Sequence, residues 1–124
     1  MADSAKPWSA TKSMYVILWE FYPNPGLEQE FEKAYGPNGT WAEFFRKGEG
    51  YLGTQLLKGT GNRYITIDRW TSLTAYETFR IQNAEEYQKI DQLCETLTRS
   101  ESEIGAFVLL GDIEDNADSE ANHG

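Results

Sequence analysis

The chain has 124 residues, enough for one domain with its own core, and 40% of them are hydrophobic. Acidic residues outnumber basic ones by 20 to 11, which gives a formal net charge of -9. A negative field of this kind repels phosphate backbones, so nucleic acid is excluded as a natural partner.

The chain begins with a polar arm, residues 1–12, which shows no periodicity and which we expect to be flexible. It contains no apolar signal segment, and no later run approaches the roughly 20 apolar residues that a membrane span needs. We therefore expect a cytoplasmic protein without a membrane partner. The first strand is predicted at Met14–Tyr22, and it is apolar on both faces, which is typical of a strand covered on two sides.

Two helices follow the first strand. Leu27–Tyr35 has apolar residues at helical spacing, and a second helix restarts at Thr40 after a glycine- and proline-rich break. Thr40 and Glu43 have the spacing of a capping box, in which each side chain satisfies a free backbone N–H of the first turn. Gly48 is expected to end this second helix.

A β-hairpin is the clearest local pattern in the chain. Strands at Gly50–Gly59 and Arg63–Trp70 are joined by Thr60-Gly61-Asn62, where glycine allows a positive φ. Side chains of a strand alternate between its two faces. The second strand therefore presents two sets of residues: Tyr64, Thr66, Asp68 and Trp70 on one face, and Ile65, Ile67 and Arg69 on the other.

The last part of the domain is predicted as a broken helix and a strand. Ser72 or Thr74 caps the helix, and a second capping pattern predicts a break near Asn83. The last strand is predicted at Glu103–Leu110, and the acidic, aromatic-free residues 112–124 are predicted to be disordered. The second half of the helix carries an apolar stripe that indicates core: Tyr87, Ile90, Cys94 and Leu97.

The element order βαββαβ predicts an α+β, ferredoxin-like domain over residues 13–111. Right-handed crossovers then give an antiparallel sheet of order 4-1-3-2 with the helices on one face. The first strand is apolar on both sides, so the opposite face of the sheet is also apolar. Such a face favours a partner, and a homodimer formed through the sheets is the simplest one.

The residue types exclude several classes of catalysis. The only histidine, His123, lies in the tail, and the only cysteine, Cys94, is predicted to be a buried, unreactive thiol. Histidine-dependent triads and most zinc sites are therefore excluded, and no metal or cofactor is expected. The types that remain are Trp, Tyr, Asp, Arg and Thr around an aromatic cavity, into which Asp68 is expected to point.

A strand end that runs into a capped helix brings Trp70 and Tyr76 towards one cavity, whose wall Trp41 and Phe45 can complete. Tyr76 would donate a hydrogen bond to a developing oxyanion, and Trp70 would stack on a planar ring. Together with Asp68 these two residues form the predicted catalytic set. The predicted substrate-binding set is Trp19, Trp41, Phe45, Thr66 and Phe79.

The strings GYLGTQLL, RYITIDRW-TS and AYETF resemble the antibiotic biosynthesis monooxygenase-like family over about residues 14–110. The resemblance implies a ferredoxin-like protomer that pairs sheet to sheet into a dimeric α/β barrel. It also implies cofactor-independent oxygenation of an aromatic or quinol-like molecule. Trp70 and Tyr76 match the Trp and Tyr of the polyketide oxygenases, and Thr66 stands at their Asn position. Trp19 and Phe79 stand where haem-degrading members have Asn and Trp, which disfavours haem as substrate.

Three functions are therefore compatible with the sequence. The first is a cofactorless monooxygenase acting on a small aromatic molecule. The second is a non-catalytic homodimer that binds a small apolar ligand. The third is an isomerase or cyclase of similar aromatic substrates, in which Asp68 is the base.

Overall fold

A computed structural model of the chain describes residues 14–110, so the predicted arm 1–12 and tail 112–124 lie outside the described residues. The four strands form one antiparallel sheet of order β2-β3-β1-β4, the predicted order. The fold is thus α+β and ferredoxin-like, with a sheet that stays open within the single chain. The elements are β1 Tyr15–Pro23, α1 Glu28–Tyr35, α2 Thr40–Phe45, β2 Tyr51–Lys58, β3 Tyr64–Trp70, α3 Leu73–Gln82, α4 Ala84–Cys94 and β4 Thr98–Val108.

The helices pack on one face of the sheet, which we call the inner face. On β1, Phe21 contacts Phe31 and Tyr35 of α1, with ring centroids 5.4 and 4.7 Å apart. On β3, Trp70 contacts Phe45 of α2 and Phe79 of α3 at 5.8 and 5.2 Å. These aromatic side chains are almost fully buried and form the core of the domain.

The opposite face of the sheet, which we call the outer face, is apolar and is not fully buried. The alternation of side chains along β1 and β3 places four aliphatic residues there, and the neighbouring strands add one leucine and one phenylalanine. Leu57 is 46% exposed and Phe107 is 50% exposed. The apolar residues of the outer face are Val16, Leu18, Leu57, Ile65, Ile67 and Phe107.

The helix ends agree with the predictions except at α2. Ser72, one of the two predicted caps, accepts a hydrogen bond from the Ala75 backbone N–H through its Oγ at 3.0 Å. The predicted capping box of Thr40 and Glu43 is wrong, because Thr40 already lies inside the helix and Gly39 is the residue before it. The Glu43 carboxylate pairs instead with Arg46, one turn further on.

The break predicted near Asn83 is present, and it separates α3 from α4. The Asn83 amide nitrogen donates to the Phe79 carbonyl oxygen at 3.0 Å, which satisfies an acceptor at the end of α3. The hairpin turn is also as predicted, because Gly61 and Asn62 both have positive φ, of 69° and 62°. Glycine and asparagine adopt this left-handed conformation at the least cost.

Strand β4 is longer than predicted and begins at Thr98 rather than Glu103. Residues 98–102 are polar, so their sequence lacks the apolar alternation that indicates a strand. They pair along β1 as far as Pro23, with a bulge opposite Leu18 and Trp19. The extra length brings Glu101 opposite Phe21, and so to the inner face.

None of the helices within residues 14–110 has the length and apolar character that crossing a membrane requires.

Candidate functional site

A cavity of about 60 Å³ lies between the inner face of the sheet and helices α1, α2 and α4. Aromatic side chains form most of its wall, and the rings of Trp41 and Tyr87 lie 5.0 Å apart at one side of it. Two threonines and three carboxylates complete the lining. The lining residues are Trp19, Phe21, Tyr35, Trp41, Phe45, Thr54, Thr66, Asp68, Tyr87, Asp91 and Glu101.

The Asp68 carboxylate is held by a short chain of hydroxyl groups. Thr54 lies directly opposite Asp68 on the neighbouring strand β2, and its Oγ1 donates to Asp68 Oδ1 at 2.6 Å. The Tyr51 hydroxyl lies 2.5 Å from the same Thr54 Oγ1. An ionised carboxylate only accepts hydrogen bonds, so Thr54 donates its proton to Asp68 and accepts the proton of Tyr51. The Asp68 side chain is thereby fixed on the cavity wall.

Burial raises the pKa of the Asp68 carboxyl to about 6, and the hydrogen bond from Thr54 opposes this rise. No basic side chain of the described residues contributes to the shift. At neutral pH the group is therefore mostly ionised, yet it is much more basic than an ordinary aspartate. A carboxylate of this kind is suited to removing a proton from a bound molecule and returning it later.

The hydrogen bond from Thr54 predicts a measurable pH effect. In Thr54→Val the carboxylate loses its donor, so we expect the pKa of Asp68 to rise by about one unit, since a hydrogen bond to a charged group is worth about 1.5–3 kcal/mol. Carbon-detected NMR of the Asp68 carboxyl measures this shift without any substrate. Thr66→Val is the matched control, because Thr66 also lines the cavity but does not donate to Asp68. Equal pKa values in both variants would contradict the assigned role of Thr54.

Two further carboxylates lie at the rim of the cavity. Asp91 of α4 and Glu101 of β4 line it but are otherwise exposed. Burial raises the pKa of Glu101, and the negative charge of Asp91 raises it further. The rim is therefore a region of negative potential.

Tyr87 connects the cavity wall to a half-buried cation, Arg80. The Arg80 guanidinium lies over the Tyr87 ring, 3.8 Å from its centroid, and Arg80 Nη1 donates to the Tyr76 hydroxyl at 2.7 Å. Burial raises the pKa of Tyr87 to about 12, so this phenol stays protonated and can donate a hydrogen bond into the cavity.

The volume of the cavity limits what it holds as it stands. About 60 Å³ is enough for a few water molecules, but it is well below the roughly 150 Å³ of a cavity that accommodates benzene. An aromatic ligand therefore requires the wall to open. Trp19 and Tyr87 are only partly buried, and these two side chains are the ones best able to move.

Five of the eight site residues predicted from the sequence line this cavity. The carboxylate is Asp68, which the alternation of β3 had placed on the inner face. The other four come from three different elements and form the wall around it. They are Trp19 of β1, Trp41 and Phe45 of α2, and Thr66 of β3.

Trp70, Phe79 and Tyr76 are not among the lining residues. Trp70 is fully buried one layer away, with Tyr51 and Tyr76 at 5.3 and 5.5 Å between ring centroids. A Cβ at Gly48 would come within 2.9 Å of the Trp70 ring and 2.7 Å of the Phe79 ring, so the chain packs tightly against both. Their roles as catalytic or substrate-binding residues stay predictions.

A role for Tyr76 can be tested by mutation. Its hydroxyl accepts a hydrogen bond from Arg80, and the Arg80 guanidinium lies over the ring of Tyr87. Tyr76 would then act on the cavity as a positioning residue. In Tyr76→Phe we expect turnover to fall severalfold with a stability loss of only about 1 kcal/mol, the usual value of one hydrogen bond. Thermal unfolding and steady-state kinetics measure the two effects. Lost stability with unchanged turnover would show that the hydroxyl is purely structural.

Six lining residues were not assigned to the site from the sequence: Phe21, Tyr35, Thr54, Tyr87, Asp91 and Glu101. Tyr87 was included in the apolar stripe of α4, and one helical turn separates it from Asp91. Thr54 could have been found from the hairpin register, which pairs it with Asp68. Glu101 carries no such signal, because its segment was not predicted to be a strand.

Within the described part of the chain, no three His, Cys, Asp or Glu side chains come together in a way that could hold a metal ion. Cys94 is buried, as predicted, and burial raises the pKa of its thiol. A raised pKa leaves little thiolate at neutral pH, which agrees with an unreactive cysteine.

Residues 14–92, well over half of the chain, match the family model described as antibiotic biosynthesis monooxygenase. The match covers β1 to most of α4 and therefore includes every lining residue of the cavity except Glu101. No curated protein sequence is similar enough to the chain to count as a match.

Several solved structures share the fold. A variant of SnoaB, a cofactor-independent oxygenase from Streptomyces nogalater, is 20% identical and superposes with a TM-score of 0.65, over 81% of this chain and 96% of SnoaB. Protein SO0527 from Shewanella oneidensis is 13% identical, with a TM-score of 0.58 and coverage of 80% and 93%. Protein PA3566 from Pseudomonas aeruginosa is 15% identical, with a TM-score of 0.54 and coverage of 82% and 96%. At such low identities these likenesses establish the fold alone.

Proposed function

Since the chain belongs to the antibiotic biosynthesis monooxygenase family, we propose that it is a cofactor-independent monooxygenase of a small, electron-rich aromatic or quinol-like molecule. The observation that carries this proposal is the Asp68 carboxylate, with its pKa of about 6, on the wall of an aromatic cavity. The likeness to SnoaB, which is described as a cofactor-independent oxygenase, supports the same reaction class.

The proposed reaction begins when Asp68 removes a proton from the substrate. The proton comes from a ring CH₂ group that a neighbouring phenol makes acidic. The carbanion that remains is stabilised by the aromatic ring. This anion is the reductant: it transfers electrons to O₂, and a new C–O bond forms to give a peroxide anion. The aromatic walls exclude water, which would otherwise protonate the carbanion.

The remaining steps of the reaction need no further reductant. Protonated Asp68 returns its proton to the peroxide anion, which gives a hydroperoxide and restores the carboxylate. Asp68 then removes the second hydrogen from the same carbon, the O–O bond breaks, and hydroxide leaves and takes up that proton to become water. One oxygen atom ends in the product as a carbonyl group and the other in water, so the substrate CH₂ loses two hydrogens and gains one oxygen.

The other lining residues have roles that follow from their chemistry. Trp19, Trp41 and Phe45 offer flat apolar faces against which an aromatic ring can stack. Tyr87 and Thr66 offer hydroxyl groups to the oxygen atoms of the substrate and of the peroxide. Trp70 and Phe79 support this wall from the layer behind it.

Oxygen uptake with a panel of hydroquinones and anthrone-like compounds tests the proposal. We expect one O₂ consumed per substrate oxidised with no cofactor added, and ¹⁸O₂ should label one atom in the product and one in water. Uptake that proceeds equally without the protein, or that needs an added reductant, would contradict it. Ligand binding with no uptake under any condition would favour the non-catalytic binding protein instead.

An isomerase or cyclase remains a second candidate, because Asp68 can remove a proton whether or not O₂ follows. The two functions differ in their need for oxygen. An isomerase would exchange the activated substrate hydrogen for deuterium and form product at full rate in anaerobic buffer. A monooxygenase would exchange that hydrogen under the same conditions but form no oxidised product.

We also propose that a second copy of the chain covers the outer face and completes a dimeric α/β barrel. The outer face is apolar across all four strands, and a face of this kind is costly to leave in water. It also carries charges of both signs, with Glu20 bonded to Arg63 and Arg69 bonded to Gln55. An isologous interface requires a self-complementary patch, and this combination supplies one.

A further inference from the structure

The ionisable groups of the cavity lining are all acidic. Three of the eleven lining residues carry a carboxyl group, and none of the described residues in the lining is Lys, Arg or His. Arg80 contacts the lining through the Tyr87 ring, and its guanidinium is already engaged with that ring and with the Tyr76 hydroxyl. Within residues 14–110, therefore, no cation pairs with Asp68, Asp91 or Glu101.

The aromatic wall adds a second, independent preference. Aromatic faces attract cations through their negative quadrupoles and accept neutral rings by stacking. Trp41 is 93% buried in this wall, and its indole Nε1–H has no hydrogen-bond acceptor among the described residues. This donor does not discriminate by charge, because an N–H group bonds neutral and anionic oxygens alike. The charge preference therefore comes from the carboxylates and the aromatic faces.

From this lining we infer that the cavity selects aromatic ligands that are neutral or positively charged and rejects aromatic carboxylates. The inference rests on the proposed function in that it takes the same cavity as the substrate site. It goes further by naming the charge class of the substrate. Each carboxylate at the rim should change the affinity for a charged ligand by about three- to tenfold at low salt.

Three probes with the same ring separate charge from shape: 2-naphthol, 2-naphthoate and 2-naphthylmethylammonium. At about pH 7.5 they are neutral, anionic and cationic, respectively. The cost of opening the cavity for a ring is the same for all three, so it cancels in the comparison. Quenching of tryptophan fluorescence gives their dissociation constants, and we expect naphthoate to bind at least about tenfold more weakly than the other two at low ionic strength.

Glu101→Gln and its control Glu30→Gln locate the effect. Both changes remove one exposed carboxylate, but Glu30 lies on α1 and does not line the cavity. We expect Glu101→Gln to bind naphthoate about three- to tenfold more tightly and the cation correspondingly more weakly, with little change in Glu30→Gln. Equal effects in the two variants would overturn the inference, because the whole-chain charge would then be the cause.

The remaining outcomes distinguish this inference from the proposed function. Naphthoate binding as tightly as naphthol overturns the charge selection but leaves an aromatic site in place. Failure of all three probes to bind overturns the aromatic site and the charge selection together. Discrimination that persists unchanged in high salt also overturns the inference, because exposed rim charges are screened there.

Discussion

Asp68→Asn is expected to abolish most of the proposed activity and to leave the fold intact. Asn keeps an oxygen that can accept the hydrogen bond from Thr54, but it cannot take a proton from the substrate. General base catalysis contributes typically 10²–10⁴-fold, so we expect oxygen uptake to fall by at least about a hundredfold. In the unchanged protein, activity should decline as the pH falls below about 6, where Asp68 becomes protonated.

Asp68→Asn is also expected to be more stable than the unchanged protein at neutral pH, although it is inactive. The folded-state pKa of Asp68 is raised, so the folded protein binds more protons than the unfolded chain between about pH 4 and about pH 6. The free energy of unfolding therefore falls as the pH rises through this window. Removing the carboxylate removes this penalty, and we expect a gain of about 1–3 kcal/mol at pH 7.5.

Thermal unfolding at about pH 4 and pH 7.5 tests this stability effect, since the gain should vanish at the lower pH. Glu103→Gln is the control, because it removes a carboxylate of the sheet that does not line the cavity. If Asp68→Asn lost stability at both pH values and kept its activity, Asp68 would be a structural residue and the proposed base would be wrong.

Ile67→Glu is expected to prevent the proposed dimer. Ile67 lies near the middle of the outer face, between Leu18 on β1 and Gln55 on β2. Two copies of a carboxylate at a paired apolar face would be buried without a partner cation, at a cost of several kcal/mol. We expect light scattering to give a dimer for the unchanged protein and a monomer or an aggregate for the variant.

Ile81→Glu is the matched control, because Ile81 is 78% exposed on α3, away from the sheet. The control should remain a dimer with unchanged thermal stability. A dimer that tolerates Ile67→Glu, or an unchanged protein that is monomeric at micromolar concentration, would show that a second copy does not cover the outer face.

The fold was predictable because segments with the two-residue apolar period of a strand alternate with segments that have the 3.6-residue period of a helix. The hairpin and the capped helix after it are both local signals, and the right-handed crossover rule then leaves few possible sheets. The exceptions have local causes. Residues 98–102 form part of an edge strand without apolar alternation, and Gly39 precedes α2 where Thr40 had been expected to cap it.

The sequence predicts the face of the sheet on which the site lies, but not which side chains of that face reach the cavity. The alternation of β3 gives the face on which Thr66, Asp68 and Trp70 lie, but it does not say which of them is covered by a further layer. Trp70 ends the strand where Gly48 allows the chain to pack directly against its ring, whereas Asp68 lies under a gap between helices. Aromatic content alone therefore does not separate a packed wall from a cavity wall.

Charge at the cavity was not predictable, because it depends on residues far apart in the sequence. Asp91 comes from the exposed side of α4, and Glu101 comes from a segment that a bulge carries to the inner face. Each of them is an ordinary surface acid when considered alone. Only the folded structure shows that they share one opening with Asp68.

The alternation of β3 has a consequence for directed evolution of this protein. Thr66 and Asp68 face the cavity, while Ile65 and Ile67 face the proposed partner, and all four are consecutive in one short peptide. A library restricted to the even-numbered positions would vary reactivity and ligand choice without altering subunit pairing. A library at the odd-numbered positions would do the reverse. Random mutagenesis of the whole segment, by contrast, would confound the two traits in almost every clone.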